Sequence, residues 1–284
     1  MINTDSYYEI GAGHVFNQDY ADSGFFTTPE NGKKYYYAVV SDGCSGSKDS
    51  DIGARWMAKN FPIVARAALM GETSVSLREN IEHVLVEKMK SEERLWSIAG
   101  EAYDATLVAV IYDETLDVLH SFAWGDGHIL LVAKEGVSFL TSIKYRSNAP
   151  YYLSYRVSVD REMRYEEFFG NNYADVTYNL LTDENIVRVV EKDEFKKKFV
   201  YDEVPGASKL IKHALVMTDG VETYHRKFDV DTTMSMRNVF SQFSQYKNTH
   251  GEFVKRRMQK VKSFAEKEEW QHFDDISVAT ISLV

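Results

Sequence analysis

Cysteine is almost absent from this chain. Cys44 is the only one in 284 residues, so no internal disulfide can form. A lone thiol is typical of proteins from a reducing compartment, and we predict a cytoplasmic protein. The thiol follows an Asp-Gly pair, and we interpret it as a small loop residue rather than a nucleophile, because no basic helix terminus is evident beside it.

Basic residues are also in deficit. The 33 Lys and Arg residues are outnumbered by 43 Asp and Glu residues, which gives a net charge of −10. This balance argues against a nucleic-acid partner and against a polybasic contact with a membrane surface. Residues 1–10 lack the basic and apolar regions of a signal peptide, and no apolar run approaches the ~18–20 residues of a membrane span.

Hydrophobic periodicity predicts a chain with both helices and strands. The length allows one large domain or two small ones, and the closing strand, apolar on both faces, favours one domain over residues 1–284. One helix is predicted to begin near Asp51, and Pro62 should end or kink it. Three more helices are predicted at 76–98, 232–246 and 252–268. Strands are predicted at 7–13, 35–40, 105–112, 118–124, 129–133, 137–140, 185–191, 215–217 and 276–284. Short hairpin connections favour antiparallel sheets in an α+β fold. Residues 144–203, rich in Tyr, Asn, Asp and Arg, are predicted to be an excursion from this core.

Three apolar, strand-like runs end in a small residue followed by Asp-Gly. The pairs are Asp42-Gly43, Asp126-Gly127 and Asp219-Gly220, and Asp274 precedes the closing strand. Aspartate oxygens are the ligands that Mg²⁺ and Mn²⁺ prefer, and a strand end holds them at the rim of a sheet. A single Asp-Gly pair is more often only a turn. The repeated pattern indicates either turns or a shared site for divalent metal ions.

Taken in order, these segments resemble the metal-dependent protein phosphatases of type 2C, the PPM family of Ser/Thr phosphatases. The segment 14–19, His-Val-Phe-Asn-Gln-Asp, is similar to the family's opening Arg-x-x-Asn-Glu-Asp motif. Residues 40–46 resemble its Asp-Gly-x-Gly-Gly loop, 104–107 its Gly-Thr-Thr strand, and 125–128 its Gly-Asp-Ser-Arg motif. Residues 218–220 and 274–278 resemble its last two motifs.

The resemblance implies a four-layer α-β-β-α sandwich, in which two antiparallel sheets face each other and helices lie outside. The excursion at 144–203 matches the position of the family's variable flap. Two Mn²⁺ or Mg²⁺ ions are implied in the cleft, with a third, weaker site. The residues implied as metal ligands are Asp42, the carbonyl of Gly43, Asp219 and Asp274, with Asp126 at the third site and Gln18 in the opening motif. Asp19 and His14 are the implied catalytic residues.

Three positions depart from the family pattern. Gln18 replaces a metal-binding glutamate, which removes one negative charge from the site. His14 replaces an arginine that would contact the substrate phosphate, and His128 replaces the arginine of Gly-Asp-Ser-Arg. A histidine lacks the bidentate fork of arginine. A bacterial branch of the family resembles this pattern, with His in the first motif and Gln-Asp at its end.

Three functions remain open from the sequence. The first is hydrolysis of phosphoserine and phosphothreonine by a metal-activated water, on a protein phosphorylated by a Ser/Thr kinase. The second is a pseudophosphatase that binds phosphoproteins without turnover, which the changes at His14 and Gln18 favour. The third is hydrolysis of a small phosphorylated metabolite. The presence of Asp42, Asp219 and Asp274 favours catalysis, because a non-catalytic domain would be free to lose them.

Overall fold

The computed structural model describes residues 1–29, 32–70, 76–96, 100–145, 147–170, 174–182, 186–191 and 199–284. The helices are α1 (Ser50–Met70), α2 (Leu77–Trp96), α3 (Val159–Phe169), α4 (Ala207–Leu210), α5 (Met236–Ser244) and α6 (Phe253–Lys267). Short 3₁₀ helices cover Gly100–Tyr103, Leu153–Val157 and Asp219–Glu222. The strands are β1 (Asn3–Glu9), β2 (Asp19–Thr27), β3 (Lys34–Asp42), β4 (Leu107–Asp113), β5 (Val118–Trp124), β6 (Gly127–Ala133), β7 (Ser138–Tyr145), β8 (Ala174–Leu181), β9 (Ile186–Glu191), β10 (Phe199–Pro205), β11 (Ile211–Met217), β12 (Tyr224–Arg226), β13 (Asp229–Thr233), β14 (Trp270–His272) and β15 (Ile276–Ser282).

Two large antiparallel sheets form the centre of the molecule. One has seven strands in the order β1-β15-β11-β6-β7-β8-β9, and the other has five in the order β10-β5-β4-β3-β2. A small sheet, β13-β12-β14, stands beside them. The prediction of an α+β fold with antiparallel sheets is confirmed.

The two large sheets share a core. Val40 and Val110 of the five-stranded sheet belong to the same buried cluster as Val216 and Ala279 of the seven-stranded sheet. Alternate residues on these strands face the other way, as the two-residue repeat of a strand requires. Both faces of the central strands are therefore covered, which explains why they read as continuous apolar runs.

A helix layer lies against each outer face. The α1–α2 pair packs on Val39 and Ala109 of the five-stranded sheet. The α5–α6 pair packs on Leu215 and Val278 of the seven-stranded sheet. Among the described residues, no helix is both long enough and apolar enough to cross a membrane.

Several predicted element boundaries are wrong. The first strand ends at Glu9 rather than at residue 13, because Gly11 turns tightly against the backbone of Asp274. Pro62 does not end α1, which continues to Met70. An interior proline costs about 3 kcal/mol of helix stability, and burial of residues such as Met57, Phe61 and Val64 beside it offsets that cost.

The helix predicted from residue 232 begins only at Met236, because Thr232 and Thr233 belong to β13. The Ser235 side chain caps this helix by accepting a hydrogen bond from the backbone N–H of Asn238. The helix predicted at 76–98 is α2, and residues 97 and 98 lie outside the described part of the chain. Residue 185 of the strand predicted at 185–191 also lies outside it.

The segment 144–203 is not separate from the two sheets. Its strands β8 and β9 extend the seven-stranded sheet beyond β7, and β10 pairs with β5 at the edge of the five-stranded sheet. The part that stands apart from the sheets comprises the 3₁₀ helix Leu153–Val157 and α3. We call residues 147–170 the flap segment below.

Candidate active site

Two aspartates face each other across β2 and β3. Asp19, the first residue of β2, is the register partner of Asp42, the last residue of β3. The Thr218 hydroxyl donates a hydrogen bond to Asp19 Oδ2 at 2.7 Å. The other carboxylate oxygen of Asp19, Oδ1, is buried and lacks a hydrogen-bond partner. The backbone N–H of Asp42 donates to Thr106 Oγ1 at 3.0 Å. Neighbouring strands thus fix both carboxylates.

Three further aspartates lie where the chain leaves other strands. Asp126 lies on the crossing from β5 to β6, between Gly125 and Gly127, whose φ angles are 88° and 136°. A side chain on Gly125 would meet Thr106 Cγ2 at 2.9 Å, so this turn requires glycine. Asp219 opens the 3₁₀ helix that follows β11, and Asp274 precedes β15.

Four of these carboxylates line one cavity of about 160 Å³. Its lining consists of His14, Asp42, Gly43, Cys44, Ser45, Asp126, Asn148, Pro150, Tyr152, Asp219 and Asp274. His14 is the one basic residue in this lining, so the cavity is strongly acidic. A larger cavity of about 660 Å³, with Ile129 and Leu131 of β6 and Ile211 of β11 in its lining, contains none of these aspartates.

The carboxylates destabilise each other's charged forms. Burial raises the pKa of Asp19 to about 7 and that of Asp126 to about 8, and neighbouring carboxylates add to both shifts. Burial and the charge of Asp274 raise the pKa of Asp219 to about 6. Burial and the charges of Asp19 and Asp219 also raise the pKa of Asp42 well above its usual range. A buried group of like charges of this kind is typical of functional sites, where a cation offsets the repulsion.

His14 reaches the cavity between two carboxylates. Its Nδ1 atom lies 3.0 Å from Asp275 Oδ2, and its Nε2 atom lies 3.4 Å from Asp274 Oδ1. Burial opposes protonation, but the two carboxylates outweigh it and raise the pKa of His14. Asp275 is itself buried and also accepts hydrogen bonds from the backbone N–H groups of Gly11 and Gln18, so it anchors the whole β1–β2 loop.

Gln18 and His128 point away from the cavity. The Gln18 amide donates to Ser50 Oγ at 3.2 Å, and Gln18 is absent from the cavity lining. His128 is fully buried, 3.0 Å from Ser142 Oγ, and packs edge-on against Phe240. Burial lowers the pKa of His128 to about 4, so this histidine is neutral near pH 7.

Sequence reasoning missed part of the wall. Asn148, Pro150 and Tyr152 of the flap segment line the cavity, although the sequence left the Tyr-rich stretch undecided between packing and substrate contact. Cys44, interpreted as a small loop residue, is also in the wall. The clearest signal was Pro150-Tyr151-Tyr152, a proline followed by two aromatic residues.

Comparison with known proteins settles the family. A family model described as Protein phosphatase 2C matches residues 10–263, most of the chain. The chain belongs to the protein phosphatase 2C family. This family consists of metal-dependent protein phosphatases that use Mn²⁺ or Mg²⁺, and its substrates are phosphoproteins. Among curated proteins, none matches this phosphatase in sequence.

Solved structures show the same fold as this protein phosphatase 2C member. The serine/threonine phosphatase Stp1 from Staphylococcus aureus aligns with a TM-score of 0.51 and 13% identity, over 99% of this chain and 95% of that chain. A sex-determining protein of C. elegans aligns with a TM-score of 0.59 and 14% identity, over 100% of this chain and 65% of that chain. At these identities the likeness concerns the fold.

Proposed function

We propose that this protein phosphatase 2C member is an active enzyme that hydrolyses phosphoserine and phosphothreonine on proteins. The observation that carries the proposal is the convergence of Asp42, Asp126, Asp219 and Asp274, from four separate chain segments, on one cavity. The substrate class is a protein that a Ser/Thr kinase has phosphorylated. The net charge of −10 and the lone cysteine support a cytoplasmic phosphoprotein partner rather than nucleic acid or a membrane surface.

The donor set fits divalent cations. It consists of carboxylate oxygens, which hard cations prefer, and the buried Oδ1 atom of Asp19 lacks a hydrogen-bond partner. Within the described ranges, no three His, Cys, Asp or Glu side chains form a group with the geometry of a metal site. Without a cation, the carboxylates repel each other, and this repulsion favours side-chain positions too far apart to form such a group. We assign one pair of ions to Asp42, the Gly43 carbonyl, Asp219 and Asp274, and a third, weaker site to Asp126 with Asp219.

Bound cations would neutralise the phosphate charge and lower the pKa of water. The residues of this chain have separate tasks. Asp42 and Asp219 provide negative charge on either side of the cavity. Asp19, fixed by Thr218, orients the water through its free oxygen. Asp274 and Asp275 raise the pKa of His14 and so favour its protonated form, and the long 3.4 Å contact with Asp274 leaves Nε2 able to donate to a phosphate oxygen instead.

A binding module is the second candidate, and the position of Gln18 favours it. The Gln18 amide is engaged with Ser50 rather than directed into the cavity. Gln18 was predicted as a metal ligand, and for it to act as one, this contact must break. If it does not, one ion loses a ligand, and a weakened site would bind phosphoproteins without turning them over.

The deciding experiment is phosphate release from p-nitrophenyl phosphate and from a phosphothreonine peptide, with Mn²⁺, with Mg²⁺ and with chelator. Metal-dependent turnover is expected, and Asp42→Asn should reduce it by at least roughly 100-fold, since even outer-shell partners of metal ligands cost 10–100-fold. Asp231→Asn, an exposed aspartate on β13, is the matched control. Saturable phosphopeptide binding without phosphate release would establish the binding module instead.

A further inference from the structure

Asp104 is a buried carboxylate outside the predicted metal ligands. It lies between the 3₁₀ helix Gly100–Tyr103 and β4 and is only 4% exposed. Its oxygens accept hydrogen bonds from Ser47 Oγ at 2.8 Å and Ser154 Oγ at 2.5 Å. Arg161 Nη2 donates to both oxygens, at 2.7 and 2.8 Å. Charge-assisted bonds to a buried carboxylate are among the stronger polar contacts in proteins.

The partners of Asp104 come from two sides of the cleft. Ser47 lies on the loop that follows the Asp42-Gly43 pair, and the Cys44 N–H donates to the Asp104 carbonyl at 2.8 Å. Ser154 and Arg161 lie on the flap segment, in its 3₁₀ helix and in α3. One side chain therefore joins the loop after Asp42 to the flap segment.

This junction leads directly to the cavity wall. Tyr152 lines the cavity beside Cys44, and the Tyr155 N–H donates to the Tyr152 carbonyl at 3.1 Å. The Arg161 guanidinium lies 5.1 Å from the centre of the Tyr155 ring, which is 5.6 Å from the Tyr152 ring. Arg161, held by Asp104, thereby supports the tyrosine that forms the wall.

We propose that Asp104 is a positioning residue: through Ser154 and Arg161 it fixes Tyr152 against the Asp42 loop, so that the cleft is preformed for the phosphorylated segment of a protein substrate. This inference rests on the proposed function. In the resemblance to the family's Gly-Thr-Thr strand, Asp104 occupies the position of the glycine. A glycine has no side chain and makes none of the contacts described. We call the contacts of Asp104 with Ser47, Ser154 and Arg161 the clamp.

The clamp can be tested by substitution, because it joins the buried carboxylate of Asp104 to the guanidinium of Arg161. Arg161→Ala leaves a buried carboxylate without its cation, and Ser154→Ala removes one hydrogen bond from an uncharged donor. Arg161→Lys restores the charge with a single contact and should restore part of the effect. Arg164→Ala is the matched control, because Arg164 is exposed on the same helix.

We would measure kcat and KM for a phosphothreonine peptide and for p-nitrophenyl phosphate, and amide hydrogen exchange across residues 151–157. Arg161→Ala should raise the peptide KM about tenfold, and Ser154→Ala should raise it less, because only one hydrogen bond from an uncharged donor is lost. The KM for p-nitrophenyl phosphate should change less than twofold, and amide exchange at 151–157 should accelerate. The Mn²⁺ concentration for half-maximal activity should stay unchanged.

Two results would overturn the proposal. One is a peptide KM and an exchange rate in Arg161→Ala equal to those of Arg164→Ala. The other is a lower melting temperature of Arg161→Ala while its peptide KM and its amide exchange rate stay unchanged. That result would mean that Asp104 contributes to stability and does not position Tyr152. Hydrogen exchange needs no turnover, so the clamp is tested even in a protein that releases no phosphate. Accelerated exchange without any activity would support the clamp and contradict the proposed catalysis.

Discussion

Asp19 and Asp42 lie directly opposite each other across an antiparallel strand pair, and both are acidic, with Asp19 buried and Asp42 half-buried. Like charges in this position destabilise a sheet. The pair is therefore a cost to stability that a bound cation removes, and this cost is measurable.

Asp19→Asn should stabilise the metal-free protein. At pH 8, above the pKa of about 7 that burial gives Asp19, the substitution removes one charge and offers an N–H donor to Asp42. Its remaining oxygen can still accept from Thr218. We expect a gain of about 1 kcal/mol in the free energy of unfolding with chelator present. Asp19→Ala, which cannot accept from Thr218, should gain less. Thermal melting checks both, and a less stable Asp19→Asn protein would contradict the repulsion.

Gly220→Ala should destabilise the protein severely. A Cβ at this position would lie 1.8 Å from the Asp275 carbonyl oxygen, so the backbone beside Asp219 and Asp275 must move. We expect a loss of about 3 kcal/mol or more in urea unfolding, together with loss of phosphatase activity. Gly46→Ala is the control, since its Cβ would meet only Cys44 Sγ at 3.8 Å. Equal stability of the two variants would contradict the close approach.

Glu82→Ala should cost about 3 kcal/mol, because it removes a buried anion from its partners. Glu82 accepts from Arg78 Nη1 at 2.6 Å and from Trp124 Nε1 at 3.2 Å, and it also contacts Arg156. The control is Glu87→Ala on the same helix, where an exposed carboxylate pairs with Lys90 and almost no change in stability is expected. Urea unfolding distinguishes them, and comparable losses would show that the buried position of Glu82 is unimportant.

His213 should make stability depend on pH. Burial lowers its pKa in the folded protein from 6.5 to about 4. As the pH falls below 6.5, the unfolded chain binds a proton that the folded protein refuses, so stability is lost on acidification. Between pH 7 and pH 5 this group accounts for about 2 kcal/mol.

The measurement is urea unfolding at both pH values for the wild type and for His213→Gln, whose loss on acidification should be smaller by that amount. His250→Gln is the control, because His250 is exposed. An identical pH dependence for His213→Gln and the wild type would contradict this assignment.

The acidic site could be predicted because three of its aspartates follow an apolar run and Asp274 precedes one, which places all four at strand ends. Asp42, Asp126, Asp219 and Asp274 all reach the cavity as the pattern indicated. Whether they bind metal remains a prediction. The side-chain direction of Gln18 could not be predicted, because it depends on Ser50, a distant residue that comes beside it only when α1 packs on β3.

Strands with weak periodicity were missed. β2 contains Asp22, Ser23 and Gly24 and becomes a strand because it pairs with β3 along its whole length. β8 and β10 are half-polar and depend likewise on their neighbours. Asp104 drew attention only as part of a motif, since its partners, Ser47, Ser154 and Arg161, are scattered along the chain. Contacts at such separations leave no local signal.

The pairing of β1 with β15 has a consequence for biogenesis. These strands are joined residue by residue from Asn3–Ser282 to Glu9–Ile276, across nearly the whole length of the chain, and β15 also pairs with β11. Closing so large a loop is entropically costly, and topologies of this kind fold slowly. Asp274 lies two residues before β15, so the acidic cavity is complete only once β15 has joined the sheet. A nascent chain still lacking β15 therefore cannot possess the complete acidic cavity.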